Sequence, residues 1–132
     1  MRGIRYSGIG IAERKWVFGS LWFDTRNKAT LIWSEELKYW VRVDPATVGQ
    51  YTGLKDEHGK EIYEGDVIRS PLSEDKTRPH RIFYHTGNAA FMGALVDRKE
   101  LCYLRLDQDW IYKFGKEVIG NIHDNPELLK NE

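Results

Sequence analysis

Turn-forming residues recur along this chain, and no segment shows a helical pattern of three or more turns. Four such groups, at residues 24–27, 56–59, 64–66 and 86–88, separate short runs rich in aromatic and β-branched side chains. Gly, Asn and Asp tolerate left-handed backbone conformations and bond locally to the chain, which suits them to tight turns. The pattern therefore predicts a mainly β protein with several hairpins.

The runs between these turns are the strand candidates. They are residues 16–23, 29–33, 39–43, 61–63, 81–85, 89–96, 101–106 and 116–123, with one more strand starting at Val67. Residues 107–115 are aromatic-rich, and we predict that they are irregular. Residues 125–130 begin with an N-cap and a proline, followed by an acidic residue, which predicts a short C-terminal helix. Many short strands without long helices indicate a small barrel or sandwich.

Aromatic residues make up 13% of the 132 residues, and four of the five tryptophans fall within the first forty. These four are Trp16, Trp22, Trp33 and Trp40. Two interpretations stay open: they form a core shared with the rest of the chain, or some of them lie at a subunit interface, where tryptophan is enriched. The second interpretation predicts a homo-oligomer.

Charge and cysteine content exclude several classes of protein. The formal net charge is zero, with eight basic and five acidic residues up to Gly49 and twelve and fifteen after it. This asymmetry, +3 against −3, is small for a nucleic-acid-binding protein. Cys102 is the single cysteine, so no intrachain disulfide is possible and a reducing, cytoplasmic compartment is predicted. No apolar run approaches the ~20 residues that cross a bilayer, and we expect no membrane association.

Two long motifs carry a family resemblance. The first reads QYTGLKD at residues 50–56 and GKEIYEGDVI at residues 59–68, and the second reads VIGNIHDNPELL at residues 118–129. In this order they resemble the hallmarks of the YopX family, small proteins encoded by temperate phages and prophages. The resemblance covers the chain well from about Asp44 to the C-terminus, whereas the N-terminal forty residues match poorly.

The resemblance implies an SH3-like barrel over residues 50–132, preceded by an N-terminal β extension over residues 1–49. It implies a phage or prophage origin and no catalytic activity, since the family brings no catalytic residues and no cofactor. The chain is accordingly predicted to be a non-enzymatic module that binds itself or a protein of the phage or its host.

Residues Tyr63, Glu64 and Asp66 are candidates for a binding rim at the entry of a barrel strand. The alternative is a purely structural turn, in which Gly65 supplies a positive φ and Asp66 bonds the nearby backbone. The structural interpretation is the stronger one on residue type alone.

A nucleic-acid-binding function is the first rival. Basic and aromatic residues surround the loop at 70–80, and the candidates for this surface are Arg69, Arg78, Arg81 and Tyr84. Lys76 and Phe83 strengthen the group, while Glu74 and Asp75 dilute it. We therefore do not favour nucleic acid as the partner.

A hydrolase is the second rival. Its candidate carboxylates are Asp107 and Asp109, with Glu100 and Asp124 as further members. Such chemistry needs two carboxylates with different pKa values facing one cleft. The four histidines and Cys102 show no zinc-type spacing, so no metal site is predicted.

Overall fold

The structure, a computed structural model, describes residues 3–70, 79–96 and 103–129. The chain divides into two compact units, unit 1 at Met1–Tyr51 and unit 2 at Thr52–Glu132. The strands form two antiparallel sheets, which confirms the prediction of a mainly β protein. Among the helices of the described ranges, none has the length and apolarity needed to cross a lipid bilayer.

Unit 1 is built around one antiparallel sheet. Its strands are β1 (Tyr6–Ile9), β2 (Trp16–Asp24), β3 (Ala29–Ser34), β4 (Trp40–Arg42) and the first residues of β5 (Gly49–Lys55). Their spatial order is β4-β3-β2-β1-β5. The predicted turn after β2 forms because the Asp24 carboxylate accepts the backbone N–H groups of Arg26 and Asn27 at 3.1 and 3.2 Å. This local bonding fixes the register of the β2–β3 hairpin.

The segment that follows β1 returns to the edge strand β4. Gly10 and Val43 form an isolated antiparallel bridge. The Ile11 N–H donates to the carbonyl of Arg42 at 2.9 Å, and the Asp44 N–H donates to the carbonyl of Ile9 at 2.9 Å. The outer edge of β4 is thereby partly satisfied within the chain, by a bridge and not by a full ladder.

One face of this sheet carries the core of unit 1. Val17, Ile32, Val41 and Val43 are buried against one another. They share a face because Val17 and Gly19 alternate with exposed residues of β2, and Ile32 lies opposite Val41 in the β3–β4 pair. The opposite face is formed by the alternate residues.

Unit 2 contains a second, open sheet. Its strands are β7 (Asp66–Arg69), β8 (His80–His85), β9 (Ala90–Leu95), β10 (Tyr103–Arg105) and β11 (Glu117–Asn121), in the spatial order β10-β9-β8-β7-β11. The later residues of β5 and β6 (Glu61–Tyr63) form a hairpin in the same unit. The barrel predicted over residues 50–132 is not closed within the described residues, because β10 and β11 lie at opposite edges of this sheet.

The core of unit 2 includes a helix that the sequence pattern did not predict. The helix α1 (Gln108–Lys113) begins at the N-cap Asp107, whose carboxylate accepts the Trp110 N–H at 2.7 Å. Its residue Ile111 is fully buried with the following apolar side chains: Ile62, Ile68, Ile82 and Leu106. The predicted C-terminal helix is a single 3-10 turn at Pro126–Leu129.

A buried carboxylate links the β5–β6 turn to β11. Asp56 is only 2% exposed. Its Oδ1 accepts the N–H groups of His58 and Lys60 at 2.8 and 2.9 Å, and its Oδ2 accepts the N–H of Val118 at 3.1 Å. Three backbone donors thus satisfy one buried anion, which is the arrangement that burial of a charge requires.

Candidate functional site

The predicted rim residues Tyr63, Glu64 and Asp66 form a structural turn between β6 and β7. Tyr63 is 5% exposed, so its side chain is buried. Its N–H donates to the Asp66 carboxylate at 2.9 Å. Gly65, at a φ of 90°, donates its N–H to the carbonyl of Ile82 and accepts the N–H of Ile122, both at 2.8 Å. The turn is therefore held between two strands of the unit 2 sheet.

Asp66 is the ionisable group of this turn whose pKa is shifted. Burial raises its pKa from the ordinary value of 3.8 to about 7, against the opposing effects of the Tyr63 N–H and of Lys60. Asp56 contributes a further increase because its negative charge lies nearby. A carboxylate with this pKa makes folding dependent on pH near neutrality.

We expect Asp66→Asn to remove a pH dependence of stability. The native state holds a proton on Asp66 that the unfolded state loses above pH 3.8, so the contribution of Asp66 to stability is highest in acid and falls as pH rises towards 7. Relative to Asp66→Asn, which keeps an oxygen for the Tyr63 N–H, the wild-type free energy of unfolding should fall by about 2–4 kcal/mol between pH 4 and 8. Urea unfolding of both proteins across this range measures the difference, and parallel pH profiles would contradict it.

Among the described basic and aromatic candidates of unit 2, Arg69 and Arg81 share one face of the sheet and Tyr84 lies on the other. In the strand register Arg81 lies opposite Val67, which places it on the same face as Arg69. The Arg81 guanidinium lies 5.0 Å from the centre of the Phe83 ring. Tyr84, three residues along β8 from Arg81, points to the opposite face and packs on Phe91 with 5.2 Å between ring centres. Arg78 and Lys76 lie outside the described residues.

Two of the acidic candidates for hydrolysis, Asp107 and Asp124, have structural partners. Asp107 caps α1, and Asp109 lies in the first turn of the same helix. Asp124 accepts the side-chain amide of Asn121 at 3.2 Å. Glu100, like Cys102, lies outside the described residues.

The histidines are likewise separated. His58 contacts Glu117 at 3.1 Å, while the His85 ring accepts the Asn88 N–H at 3.1 Å. His80 is buried and packs edge-on against Trp110. Within residues 3–70, 79–96 and 103–129, no three His, Cys, Asp or Glu side chains are grouped so as to hold a metal ion.

The candidate binding surface lies in unit 1, on the sheet face opposite its core. This aromatic face consists of Phe18, Trp22, Trp33 and Trp40. Phe18 and Trp22 alternate with the core-facing residues of β2, and Ser20 lies between them on the same face. Across the sheet, Ser20 lies opposite Trp33 of β3, and Trp33 lies opposite Trp40 of β4. The exposed fractions of Phe18, Trp22 and Trp40 are 44%, 49% and 43%, respectively.

The rings of the aromatic face are interlocked. The centres of Trp22 and Trp40 are 5.7 Å apart with planes inclined at 59°, and those of Trp33 and Trp40 are 5.7 Å apart at 70°. Such tilted pairs are favoured by the ring quadrupoles and hold the side chains in fixed orientations. The surface therefore presents ridges and grooves of apolar atoms, which can accept side chains from a partner.

Two charged residues border the aromatic face. Arg42 lies on it beyond Leu31, which is the cross-strand neighbour of Trp22. Asp24 lies on it two residues after Trp22, and hydrogen bonds from Asn27 lower the pKa of its carboxyl, so the group is ionised at neutral pH. Apolar side chains thus form the middle of this surface, and Arg42 and Asp24 lie at its margin.

Comparison with known proteins assigns the family. The family model described as "YopX protein" matches residues 12–130. The chain belongs to the YopX family. A similar solved structure is that of protein EF1440 from Enterococcus faecalis, with 25% identity and a TM-score of 0.63 over 98% of this chain and 100% of that one. No curated protein matches the chain.

The two YopX motifs are bonded to each other in the structure. The first motif supplies Asp56 and Gly65, and the second supplies Val118 and Ile122. These residues form the Asp56–Val118 and Gly65–Ile122 hydrogen bonds described above. The motifs therefore hold unit 2 together, and neither contributes to the aromatic face.

The sequence indicated an excess of tryptophan in the first forty residues but did not indicate which faces are exposed. The run in β2 has aromatic residues in both phases of the alternation, with Trp22 in one and Phe23 in the other. The partner strands β3 and β4 determine which face of β2 is buried, because Ile32 and Val41 form the buried face. The sequences of β3 and β4 do contain a signal, since Trp33 and Trp40 both alternate with these residues.

Proposed function

We propose that this protein is a non-catalytic binding module, encoded by a temperate phage or prophage and acting in the cytoplasm. Its binding surface is the aromatic face of unit 1, and its partner is a protein. The single observation that carries this proposal is the exposure of nearly half of Phe18, Trp22 and Trp40 on one sheet face. Contiguous exposed aromatic side chains with a polar margin are typical of protein-interaction surfaces.

The inclination of the rings favours a protein over a base or a sugar. Nucleic-acid platforms stack bases on aromatic planes that lie open to the ligand. Here Trp40 meets Trp22 and Trp33 at 59° and 70°, so neighbouring rings do not share a plane. Grooves between tilted rings accept branched or aromatic side chains, which a protein partner supplies.

Site-specific photo-crosslinking in cells tests the proposal. A benzophenone amino acid at position 22 is compared with the same group at position 23, because Phe23 is the next residue of β2, is 60% exposed and lies on the opposite face. We expect protein adducts from position 22 at several times the yield from position 23. Mass spectrometry then identifies the peptide joined to the benzophenone.

Two results would contradict the proposal. Equal adduct yields from positions 22 and 23 would show that exposure alone governs the reaction. Adducts that disappear after nuclease treatment would identify nucleic acid as the occupant of the aromatic face.

A further inference from the structure

We propose that the aromatic face is the contact surface of a homodimer, in which the same face of a second copy packs against it. This inference rests on the proposed function and names the partner. Symmetric pairs bury one patch twice, so such a patch must be complementary to itself in shape and charge. The aromatic face meets both conditions.

Shape complementarity follows from the ring geometry. Trp40 stands between Trp22 and Trp33, inclined at 59° and 70° to them, so the face has alternating ridges and grooves. A second copy brings the same ridges to the same grooves. Interlocking tilted aromatic side chains are the arrangement that aromatic pairs prefer over face-to-face stacking.

Charge complementarity follows from the two charged residues that border the aromatic face. Arg42 and the ionised Asp24 lie on the aromatic face at positions bordering its apolar middle. The pair adds no net charge, and each residue offers the opposite charge to the residue that a second copy brings. Two copies can therefore approach without the like-charge repulsion that a single-sign margin imposes.

The β4 edge of the unit 1 sheet is a less favourable site for association than the aromatic face. The backbone of β4 would be the natural site for adding a strand from another chain. However, the Arg42 carbonyl already accepts the Ile11 N–H, and Val43 is bridged to Gly10. The chain itself thus occupies part of this edge, which favours the side chains of the aromatic face as the contact surface.

The exposed area of the aromatic side chains indicates the expected affinity of the dimer. An aromatic side chain buries ~150–250 Å², so exposures of 43–49% leave about 300 Å² on Phe18, Trp22 and Trp40 together. Stable interfaces bury about 800 Å² per partner, and the aromatic residues would form only their centre. We therefore expect a dimer with a dissociation constant in the micromolar range.

Sedimentation equilibrium of the purified full chain tests the inference. From about 1 to about 300 µM, the wild-type protein should pass from monomer to dimer. Trp22→Lys should raise the dissociation constant at least about tenfold, whereas Phe23→Lys, the matched control on the opposite face, should leave it within about twofold. Urea unfolding of both variants checks that each is folded.

Tryptophan fluorescence supplies a second measurement that needs no substitution. Dilution of the wild-type protein should shift its emission to longer wavelength over the concentration range of dissociation, because half-exposed tryptophans return to water. For Trp22→Lys, with its weaker association, the shift should move to concentrations at least about tenfold higher or disappear from this range.

The outcomes separate this inference from the proposed function. A wild-type monomer at every concentration, or equal weakening by Trp22→Lys and Phe23→Lys, overturns the homodimer. If crosslinks from position 22 nevertheless join a different protein, the binding function stands and only its partner changes. A dimer whose crosslinks join two copies through position 22 supports both.

Discussion

Gly19→Ala is expected to unfold unit 1. Gly19 lies in β2, paired with Tyr6 of β1 on one side and Ser34 of β3 on the other. A Cβ atom at this position would overlap the carbonyl oxygen of Trp33 and lie 2.9 Å from its carbonyl carbon. Because that carbonyl belongs to the backbone of the adjoining strand, relief requires the β2–β3 pair to separate. We expect a loss of at least about 3 kcal/mol in the free energy of unfolding.

A matched control distinguishes this overlap from the general cost of replacing glycine. Gly59 has a φ of 85°, and no atom lies within 4 Å of the place that a Cβ would take, so Gly59→Ala introduces backbone strain without overlap. It should cost about 1 kcal/mol. Urea unfolding followed by far-UV circular dichroism measures both losses, because the signal comes from the strands of unit 1, which holds Gly19, and of unit 2, which holds Gly59. Equal losses in the two variants would disprove the overlap argument.

Asp56→Ala is expected to have the other large effect, in unit 2. The substitution removes the acceptor for the N–H groups of His58, Lys60 and Val118. Hydrogen bonds to a charged acceptor contribute more than neutral ones, and these part-buried donors would be left without their acceptor. We expect a loss of about 3–5 kcal/mol in the free energy of unfolding.

Two companion variants sharpen this second test. Asp56→Asn keeps one acceptor oxygen but turns an NH₂ group towards a backbone donor, so it should lose about half as much. Glu57→Ala alters the neighbouring exposed side chain and should change stability by less than about 0.5 kcal/mol. Amide hydrogen exchange gives the local readout, because the Val118 amide should exchange faster in Asp56→Ala. An exchange rate equal to that of Glu57→Ala would refute the assigned role.

The local elements were readable from the sequence because their signals are local. Asp24 and its three successors predict the turn after β2, and the structure places the turn there. The helix α1 was missed because six residues provide less than two turns of periodicity. Asp107 followed by Asp109 was its one available signal, an N-cap with an acidic first turn.

The order of the strands in each sheet could not be predicted from the sequence, because it depends on pairing between residues that are distant along the chain. Nothing local to β7 indicates that β11 is its partner, or that β11 ends the sheet. For that reason the sequence did not show that the barrel predicted over residues 50–132 is not closed. The candidate surface followed the same division: the tryptophans are visible in the sequence, whereas their exposure depends on pairing with Ile32 and Val41.

The bond from Val118 to Asp56 also affects the order in which the chain can fold. It joins residues 62 positions apart, and the Gly65–Ile122 bond closes a loop of similar length. Contacts so distant in sequence slow folding, because the intervening chain must be ordered first. The sheet pairs of unit 1 are complete by Tyr51 and can form while the ribosome is still synthesising unit 2. Unit 2 must wait for β11 to emerge, so during translation its half-finished sheet is the part of the chain that chaperones would protect.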